Sequence, residues 1–272
     1  MSVTSRIDHT ELAGEFALER SSPGLSIVAP MYNEVGGALA LVEEIHQMLA
    51  ALPEVPSEII IVDDGSTDGT REALIKAREG GIALRILAHH ANAGQSRAIR
   101  TGVLGAKYDV IGMIDGDGQN DPADIPALFQ QLTANQHEGS QPGEAGAPLA
   151  MVAGERRKRQ DSGAKRLSSR IANRFRQGLL RDGAADSGCG LKVFRRAAFL
   201  RLAYFDHLHR YLPFMMQREG YSVAFQAVNH RPRSHGASKY TNMGRLLVAF
   251  RDLLGVLWLR SRARSPEKIQ EL

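Results

Sequence analysis

The chain has 272 residues, a hydrophobic fraction of 43% and a formal net charge of +4, a composition typical of an ordinary globular protein. It is long enough to bury the core of one large α/β domain. The single cysteine, Cys189, excludes an internal disulfide framework. No amino-terminal segment combines a basic start with a long apolar stretch, so we predict no signal peptide and a reducing, cytoplasmic location.

Strands and helices are predicted to alternate after Pro23. Short apolar runs predict strands at residues 25–29, 58–62, 83–88, 110–114, 149–153, 191–194 and 222–228. Helical spacing of apolar residues predicts helices at residues 38–52, 70–78, 96–106, 210–218 and 243–260. We therefore expect a flexible lead-in at residues 1–22, one α/β domain at residues 23–240 with a mostly parallel sheet covered by helices on both faces, and a C-terminal segment at residues 241–272.

An acidic loop follows the fourth predicted strand. Asp115, Asp117 and Gln119 lie on this loop, and Asp121-Pro122 reads as the N-cap and first residue of the next helix. Such a loop is either a solvated turn or a site for Mg²⁺ or Mn²⁺ that uses few protein ligands. A calcium loop of the EF-hand type is excluded, because its sixth and twelfth positions are Asn120 and Pro126.

Polar residues also follow the first three strands, at residues 29–34, 63–69 and 89–94. The carboxyl ends of parallel strands meet at one edge of a sheet, so these loops should converge with the acidic loop. A nucleotide needs an aromatic or apolar slot, a carboxylate for base or ribose, and a metal for its phosphates. Tyr32, Glu34 and Asp64, together with the two loop aspartates, supply these chemistries.

Three motifs resemble those of family 2 glycosyltransferases, which have the GT-A fold. They are Pro30-Met31-Tyr32-Asn33-Glu34, Val62-Asp63-Asp64-Gly65-Ser66 and Asp115-Gly116-Asp117-Gly118-Gln119. Residues 186–196 and 230–240 resemble the polyprenyl-phosphate glycosyltransferases, a group that includes dolichol-phosphate mannosyltransferase. The resemblance runs from about residue 25 to residue 240, and it implies a GT-A domain.

The resemblance also implies a role for individual residues. The residues expected to bind the nucleotide sugar are Pro30, Tyr32, Asn33, Glu34, Asp63, Asp64, Ser66, Asn92, Asp115, Gly116, Asp117 and Ser238. Asp115, Asp117 and Gln119 are expected to hold Mg²⁺ or Mn²⁺, and Asp117, Arg233 and Lys239 are the expected catalytic residues. Gly116 stands where the family often has alanine, which we expect to be a small change.

The implied reaction is inverting, metal-dependent transfer from GDP-mannose or a UDP-sugar to a polyprenyl phosphate. Arg156, Arg166 and Arg170, in a strongly basic stretch, are expected to bind the acceptor phosphate, although a charge run is also typical of a solvated helix face. A phosphate acceptor is already largely anionic near neutral pH, so we assign no catalytic base and would test Asp186 first. Nucleic acid is not an expected partner, because the basic residues are not interleaved with aromatics.

The predicted terminal helix is amphipathic. Its apolar region, residues 246–259, carries two charges and is shorter than the roughly 20 residues that span a bilayer, so we predict no transmembrane helix. Leucines, Phe250 and Trp258 on one side and arginines on the other fit either the surface of the cytoplasmic membrane, on its inner face, or packing on the domain or a partner.

Three other functions stay open. A soluble family 2 transferase acting on a sugar hydroxyl would be expected to have an acidic pair late in the chain that can act as base, and no such pair is evident. A nucleotidyltransferase would leave the basic stretch and residues 233–240 without a role. A non-catalytic, membrane-associated scaffold with this fold would not need Asp115, Asp117, Gln119 and Lys239.

Overall fold

The computed structural model describes residues 22–134, 147–156, 178–180, 182–232 and 242–262, and of residues 242–247 and 249 only the backbone. The predicted lead-in thus lies outside the described residues, except for Ser22. This residue begins the first strand, three residues earlier than the apolar run predicts.

The first half of the chain alternates strands and helices in the predicted order. Its elements are β1 (Ser22–Met31), α1 (Val35–Ala50), β2 (Ser57–Asp63), α2 (Thr70–Glu79), β3 (Leu84–Ala88), α3 (Gln95–Gly105) and β4 (Tyr108–Met113). A 3₁₀ turn at Pro122–Asp124 then leads into α4 (Ile125–Ala134). Asp121 is the predicted N-cap, since its Oδ1 accepts a hydrogen bond from the Ala123 N–H at 3.0 Å.

The second half completes the sheet and adds the terminal helix. Its elements are β5 (Leu149–Arg156), β6 (Lys192–Arg195), α5 (Arg196–Arg201), a 3₁₀ turn (Leu208–Arg210), α6 (Leu212–Arg218), β7 (Ser222–Val228) and α7 (Asn242–Arg262). All the predicted strands and helices are present, with shifts only at their ends.

The seven strands form one sheet in the order β3-β2-β1-β4-β6-β5-β7. β1 pairs in parallel with β2 and β4, β2 with β3, and β5 with β7. Only β6 runs antiparallel among these strands, between β4 and β5. The mostly parallel sheet predicted from the sequence is therefore confirmed, and the direction of β6 is the feature that the apolar pattern did not predict.

The core has two layers, one on each face of the sheet. Ile27 and Ala29 of β1 pack in the layer formed with α1, α2 and α4, whereas Val28 packs on the opposite side with α3, α5 and α6. This division follows from the two-residue period of a strand. Helices thus cover both faces, and the loops at the carboxyl edge are left to form a site.

The terminal helix α7 packs on the second layer through one side only. Leu253 and Val256 are buried there, while Phe250, Leu254 and Trp258 are 51–59% exposed. His207 Nδ1 lies 2.9 Å from the Asp252 carboxylate and adds a polar contact between helix and domain. None of the described helices has the length and apolarity required to cross a bilayer.

Candidate functional site

The carboxyl ends of β1 to β4 meet at one edge of the sheet. The chain proceeds from β1 outward to β2 and β3, then returns to β4 on the other side of β1. Such a reversal opens a crevice at the carboxyl ends of the strands, where α/β proteins bind ligands. The loops around this crevice are those in which the sequence predicts a nucleotide site.

The loops after β1 and β2 are tied together by Asn33 and Ser66. Asn33 has a left-handed backbone (φ 54°), which asparagine tolerates better than most residues. Its N–H donates to Ser66 Oγ at 2.9 Å, and its Oδ1 accepts from the Thr67 N–H at 2.8 Å. Pro30 is buried in β1, whereas Tyr32 is 37% exposed beside the tied loops. Asn33 and Ser66 thus shape the loops that present Tyr32.

Asp63 is a buried carboxylate that fixes the loop after β2. Its Oδ1 accepts from the Ser66 N–H at 3.0 Å, and its Oδ2 lies 2.7 Å from Arg71 Nε. Glu34 is held through its backbone, since its N–H donates to Thr70 Oγ1 at 2.9 Å. These contacts tie the loops after β1 and β2 to the start of α2.

Asp64 connects β2 to the loop after β3. His89 Nδ1 lies 2.6 Å from its Oδ1, and Asn92 Nδ2 donates to its Oδ2 at 2.8 Å. The N–H groups of Ala93 and Gly94 each donate to the same carboxylate at 2.9 Å. Asp64 and Asn92, both predicted to touch the nucleotide, therefore first hold this loop in place.

The acidic loop after β4 lies beside the start of α3. Asp115 Oδ1 accepts from Gln95 Nε2 at 2.7 Å, and Asp117 Oδ1 accepts from the Gln119 N–H at 3.2 Å. Burial and the neighbouring Asp117 raise the pKa of Asp115 to about 6, against the opposing effect of Lys192. A buried carboxyl with a second carboxylate beside it forms a site that a cation would stabilise.

The segment before β6 packs against the Asp115 carboxylate through Gly190. A Cβ atom at Gly190 would overlap the carboxylate of Asp115, so only glycine allows this approach. The buried Lys192 donates through Nζ to the Cys189 carbonyl, which holds the same segment. Burial lowers the pKa of Lys192 and raises that of Cys189. Cys189 is fully buried.

Arg156 and Asp186 form a bidentate ion pair between β5 and the segment before β6. The Arg156 Nε and Nη2 atoms lie 2.5 and 2.7 Å from the two carboxylate oxygens. Their side chains are only 13% and 10% exposed. The residue predicted to bind the acceptor phosphate and the carboxylate chosen as the first possible base are thus partners of each other.

Gly116 has less space around it than the alanine found at this position in the family would need. A Cβ atom there would lie 2.5 Å from the Pro30 carbonyl oxygen and 2.7 Å from Met31 Cγ. The alanine often found at this position in the family would therefore force β1 or the acidic loop to shift, and the expectation of a small change is wrong for this chain.

Arg231 anchors the chain just before residues 233–240. Its Nη1 and Nη2 atoms lie 2.6 Å from the Glu44 carboxylate and 2.8 Å from that of Asp121, and its N–H donates to the Gln119 carbonyl at 2.9 Å. Arg231 is thus held at the acidic loop. The other predicted residues lie outside the described residues: Arg166, Arg170, Arg233, Ser238 and Lys239.

Four residues of the site have no predicted role in the sequence analysis: His89, Gln95, Gly190 and Lys192. Two of them carry a local signal, because Gln95 opens a helix behind Gly94 and Lys192 interrupts an apolar strand. The other two act through partners far away in the chain, which local spacing does not reveal.

Comparison with known proteins identifies the family. The family model described as glycosyl transferase family 2 matches residues 26–202, which is more than half of the chain. The chain belongs to glycosyl transferase family 2. The match begins within β1 and contains β2 to β6 and the whole acidic loop, so the loops after β1 to β4 are those of a family 2 glycosyltransferase.

Curated relatives of this family 2 member are transferases named for polyprenyl phosphates. It is 33% identical over 248 residues to dodecaprenyl-phosphate galacturonate synthase of Rhizobium johnstonii, covering 88% of this chain and 68% of the relative. It is 32% identical over 234 residues to undecaprenyl-phosphate 4-deoxy-4-formamido-L-arabinose transferase of Pseudomonas fluorescens, covering 85% of this chain and 63% of the relative. The resemblance to polyprenyl-phosphate glycosyltransferases is confirmed, and the chain spans about two thirds of the length of these relatives.

Solved structures support the fold of this glycosyltransferase. Glucosyl-3-phosphoglycerate synthase of Mycobacterium tuberculosis, in complex with Mn²⁺, UDP-glucose and glycerol 3-phosphate, matches with a TM-score of 0.62 at 17% identity. The match covers 94% of this chain and 85% of that protein. The same enzyme with Mg²⁺ and UDP matches with a TM-score of 0.63. These matches confirm the predicted fold class, and the family assignment confirms a glycosyltransferase.

Proposed function

We propose that this family 2 glycosyltransferase moves a sugar, with inversion, from a nucleotide diphosphate sugar to a polyprenyl phosphate. The observation that carries the proposal is the position of the acidic loop. It lies at the reversal of the sheet, where it joins the loops after β1 and β2 at one crevice. The names of the curated relatives support a polyprenyl phosphate as acceptor.

The acidic loop fits a divalent cation. Asp115 and Asp117 offer hard oxygen ligands, and the described residues hold no cluster of three or more metal-binding side chains. Mg²⁺ and Mn²⁺ suit such a sparse site, because diphosphate and water oxygens can complete their coordination. We assign Asp115, Asp117 and Gln119 to this cation, which when bound neutralises charge on the leaving diphosphate.

The nucleoside part of the donor is assigned to the loops after β1, β2 and β3. Tyr32 presents an exposed aromatic ring for the base, and the tied loops around Asn33 and Asp64 hold it in position. The same proposal gives Arg233, Ser238 and Lys239 to the diphosphate. The position of Arg231 supports this, because it is held at the acidic loop and precedes Arg233 by two residues in the chain.

The acceptor chemistry requires no general base. A phosphate monoester has its second pKa at about 6, so it is a ready nucleophile near neutral pH. Asp186 pairs with Arg156, which makes it a poor base and disfavours the alternative of a sugar hydroxyl acceptor. Arg156, Arg166 and Arg170 remain assigned to the acceptor phosphate, and Arg156 would then share its guanidinium with Asp186.

The proposal is tested by thermal unfolding with a panel of GDP- and UDP-sugars, with and without Mn²⁺. A true donor should raise the unfolding midpoint in the presence of Mn²⁺, because a ligand that binds only the native state stabilises it. Transfer to a polyprenyl phosphate in detergent should follow with the same donor. Failure of every nucleotide sugar to stabilise the protein would contradict the transferase proposal.

Asp117→Ala tests the assignment of the cation to the acidic loop. We expect loss of metal-dependent transfer by at least about 100-fold with an unchanged unfolding midpoint, because Asp117 supplies a cation ligand and no core contact. Glu72→Ala, at an exposed position of α2, is the control and should keep full activity. Full activity of Asp117→Ala would overturn the metal assignment.

A further inference from the structure

A groove of about 440 Å³ runs between the segment Ala203–Asp206 and the helix α7. The geometry points to a binding site for the isoprene units next to the phosphate of the acceptor lipid. This inference rests on the proposed function, because it assigns a place to the apolar part of the same acceptor. Its walls include Tyr204, Phe205, Gly255, Val256 and Trp258.

The inner end of the groove adjoins the reaction centre. The Asp206 carboxylate, in the groove wall, packs beside Gly94, where a Cβ atom would lie 3.4 Å away. Gln95, the next residue, donates to Asp115 at 2.7 Å. The Arg97 guanidinium, in the first turn of α3, lies 4.1 Å from the centre of the Tyr204 ring. One short stretch of α3 thus separates the acidic loop from the groove.

The outer end of the groove is continuous with an exposed apolar stripe on α7. Phe250, Leu254 and Trp258 follow one another at four-residue spacing and are 51–59% exposed. Trp258 belongs to both the groove and the stripe. An apolar path of this kind is what a prenyl chain requires when its phosphate is at a polar reaction centre and its tail is in a bilayer.

Arginines beside the path match an anionic lipid, although the groove lining also includes Asp206 at its inner end and Asp252, which His207 contacts. Arg251 lines the groove, and the Arg262 guanidinium lies 5.8 Å from the centre of the Trp258 ring. An aromatic residue with a basic neighbour is typical of a side chain at the boundary between headgroups and acyl chains. The groove is short, so it holds only the first isoprene units and leaves the rest of the chain to the membrane.

Trp258 provides a direct readout, since it is the single tryptophan of the chain. Its fluorescence is titrated with geranylgeranyl phosphate below the micelle concentration, and with inorganic phosphate at equal concentration. We expect a saturable blue shift with the prenyl phosphate and no change with inorganic phosphate, because the ring passes from water into contact with hydrocarbon. The absence of a saturable shift would overturn the proposal.

Gly255 offers a variant that fills the groove without disturbing the core. A Cβ atom there has no neighbour within 4 Å, so a larger side chain enters open space at the groove wall. Gly255→Leu should weaken geranylgeranyl phosphate binding at least about tenfold. Gly255→Ala makes the same helix-favouring change with little bulk and should bind like the wild type. Equal affinities of the two variants would exclude the groove as the site.

Two further measurements distinguish a prenyl phosphate in the groove from a membrane acyl chain and from a second copy of the chain. A straight-chain alkyl phosphate of equal length that binds as tightly would assign the groove to membrane acyl chains and overturn the isoprenoid assignment. A dimer in light scattering that Gly255→Leu dissociates would assign the groove to a second copy of the chain. A monomer that prefers the prenyl phosphate supports the proposal.

The test also distinguishes this site from the proposed reaction. Thermal stabilisation by nucleotide sugar and Mn²⁺ is measured on the same Gly255 variants and should be unchanged. If no nucleotide sugar binds but prenyl phosphate binding still depends on residue 255, the prenyl site is supported and the proposed sugar transfer is contradicted. If donor binding is intact and residue 255 has no effect on prenyl phosphate binding, the prenyl site is contradicted and the proposed sugar transfer is unaffected.

Discussion

At the scale of single residues, the contact between Gly190 and Asp115 controls the acidic loop. Gly190→Ala must displace the Asp115 carboxylate, because a Cβ atom would overlap it. We expect Mn²⁺ affinity to fall about 10- to 100-fold, the usual effect of disturbing a group that orients a metal ligand. Calorimetric titration with Mn²⁺ and UDP measures this effect.

The control lies two residues away in the same segment. A Cβ atom at Gly188 would be 3.6 Å from Arg156 and 3.8 Å from Asp186, which is ordinary contact. Gly188→Ala should therefore bind Mn²⁺ like the wild type. Equal losses in both variants would show a general effect on the segment and contradict a specific role of Gly190.

The raised pKa of Asp115 makes a second prediction at this scale. In the metal-free protein this carboxyl has a pKa of about 6, against 3.8 for its ordinary value. The folded state holds the proton more tightly, so the contribution of Asp115 to stability is fully present below pH 3.8 and lost as the pH rises through about 6. Asp115→Asn cannot ionise and avoids this loss.

We therefore expect metal-free Asp115→Asn to be more stable than the wild type at pH 7, by about 1–3 kcal/mol, although it is inactive. The difference should disappear towards pH 4. Urea unfolding of both proteins between pH 4 and 7, with EDTA present, measures it. A wild type that is the more stable protein at pH 7 would contradict the pKa shift.

At the scale of elements, the ion pair between Arg156 and Asp186 joins β5 to the segment before β6. Both side chains are largely buried, so removing one partner leaves a charge without compensation. Arg156→Met should lower the free energy of unfolding by about 3–5 kcal/mol. The double variant Arg156→Met/Asp186→Leu should recover most of this loss. Chemical denaturation of the single and double variants measures this recovery. A double variant as unstable as the single one would show that the loss does not come from the unpaired Asp186 charge.

Local sequence patterns predicted the elements well because apolar period and turn residues are short-range signals. Asp121, for example, caps its own turn through the Ala123 N–H. The contacts that build the site are long-range. Asp64 is held by residues 89–94, and Gly190 packs on Asp115 from the other half of the chain. Spacing indicated which carboxylates belong to the site, but it could not reveal that Asp63, Asp64 and Asp186 already have partners.

The direction of β6 and the fit at Gly116 have the same cause. An apolar run has the same pattern in either strand direction, so the antiparallel pairing of β6 depends on its neighbours β4 and β5. The space at Gly116 depends on how closely the acidic loop approaches Pro30. Both are properties of the assembled sheet.

At the scale of the whole molecule, α7 has two apolar sides with different tasks. Leu253 and Val256 are buried on the domain, whereas Phe250, Leu254 and Trp258 form the exposed stripe. The sequence left membrane contact and domain packing as alternatives for this helix. The packing side is confirmed by its buried residues, and the exposed side remains a proposal for the membrane surface.

Matched variants of the two sides should separate stability from membrane binding. Replacing Phe250, Leu254 and Trp258 with serine should leave the unfolding midpoint near that of the wild type, because these side chains are exposed. Binding to vesicles that contain anionic lipid should be lost, since apolar burial at the headgroup boundary drives it. Leu253→Ala should instead cost about 2–3 kcal/mol of stability and keep vesicle binding.

Vesicle sedimentation at low and high salt completes this prediction. The exposed Arg251, Arg260 and Arg262 should make wild-type binding weaker as salt screens their attraction to anionic lipid. Binding that persists in the triple serine variant would place the membrane contact elsewhere on the molecule. Binding that is lost in Leu253→Ala while the fold is retained would show that the docked side, and not the exposed stripe, meets the lipid.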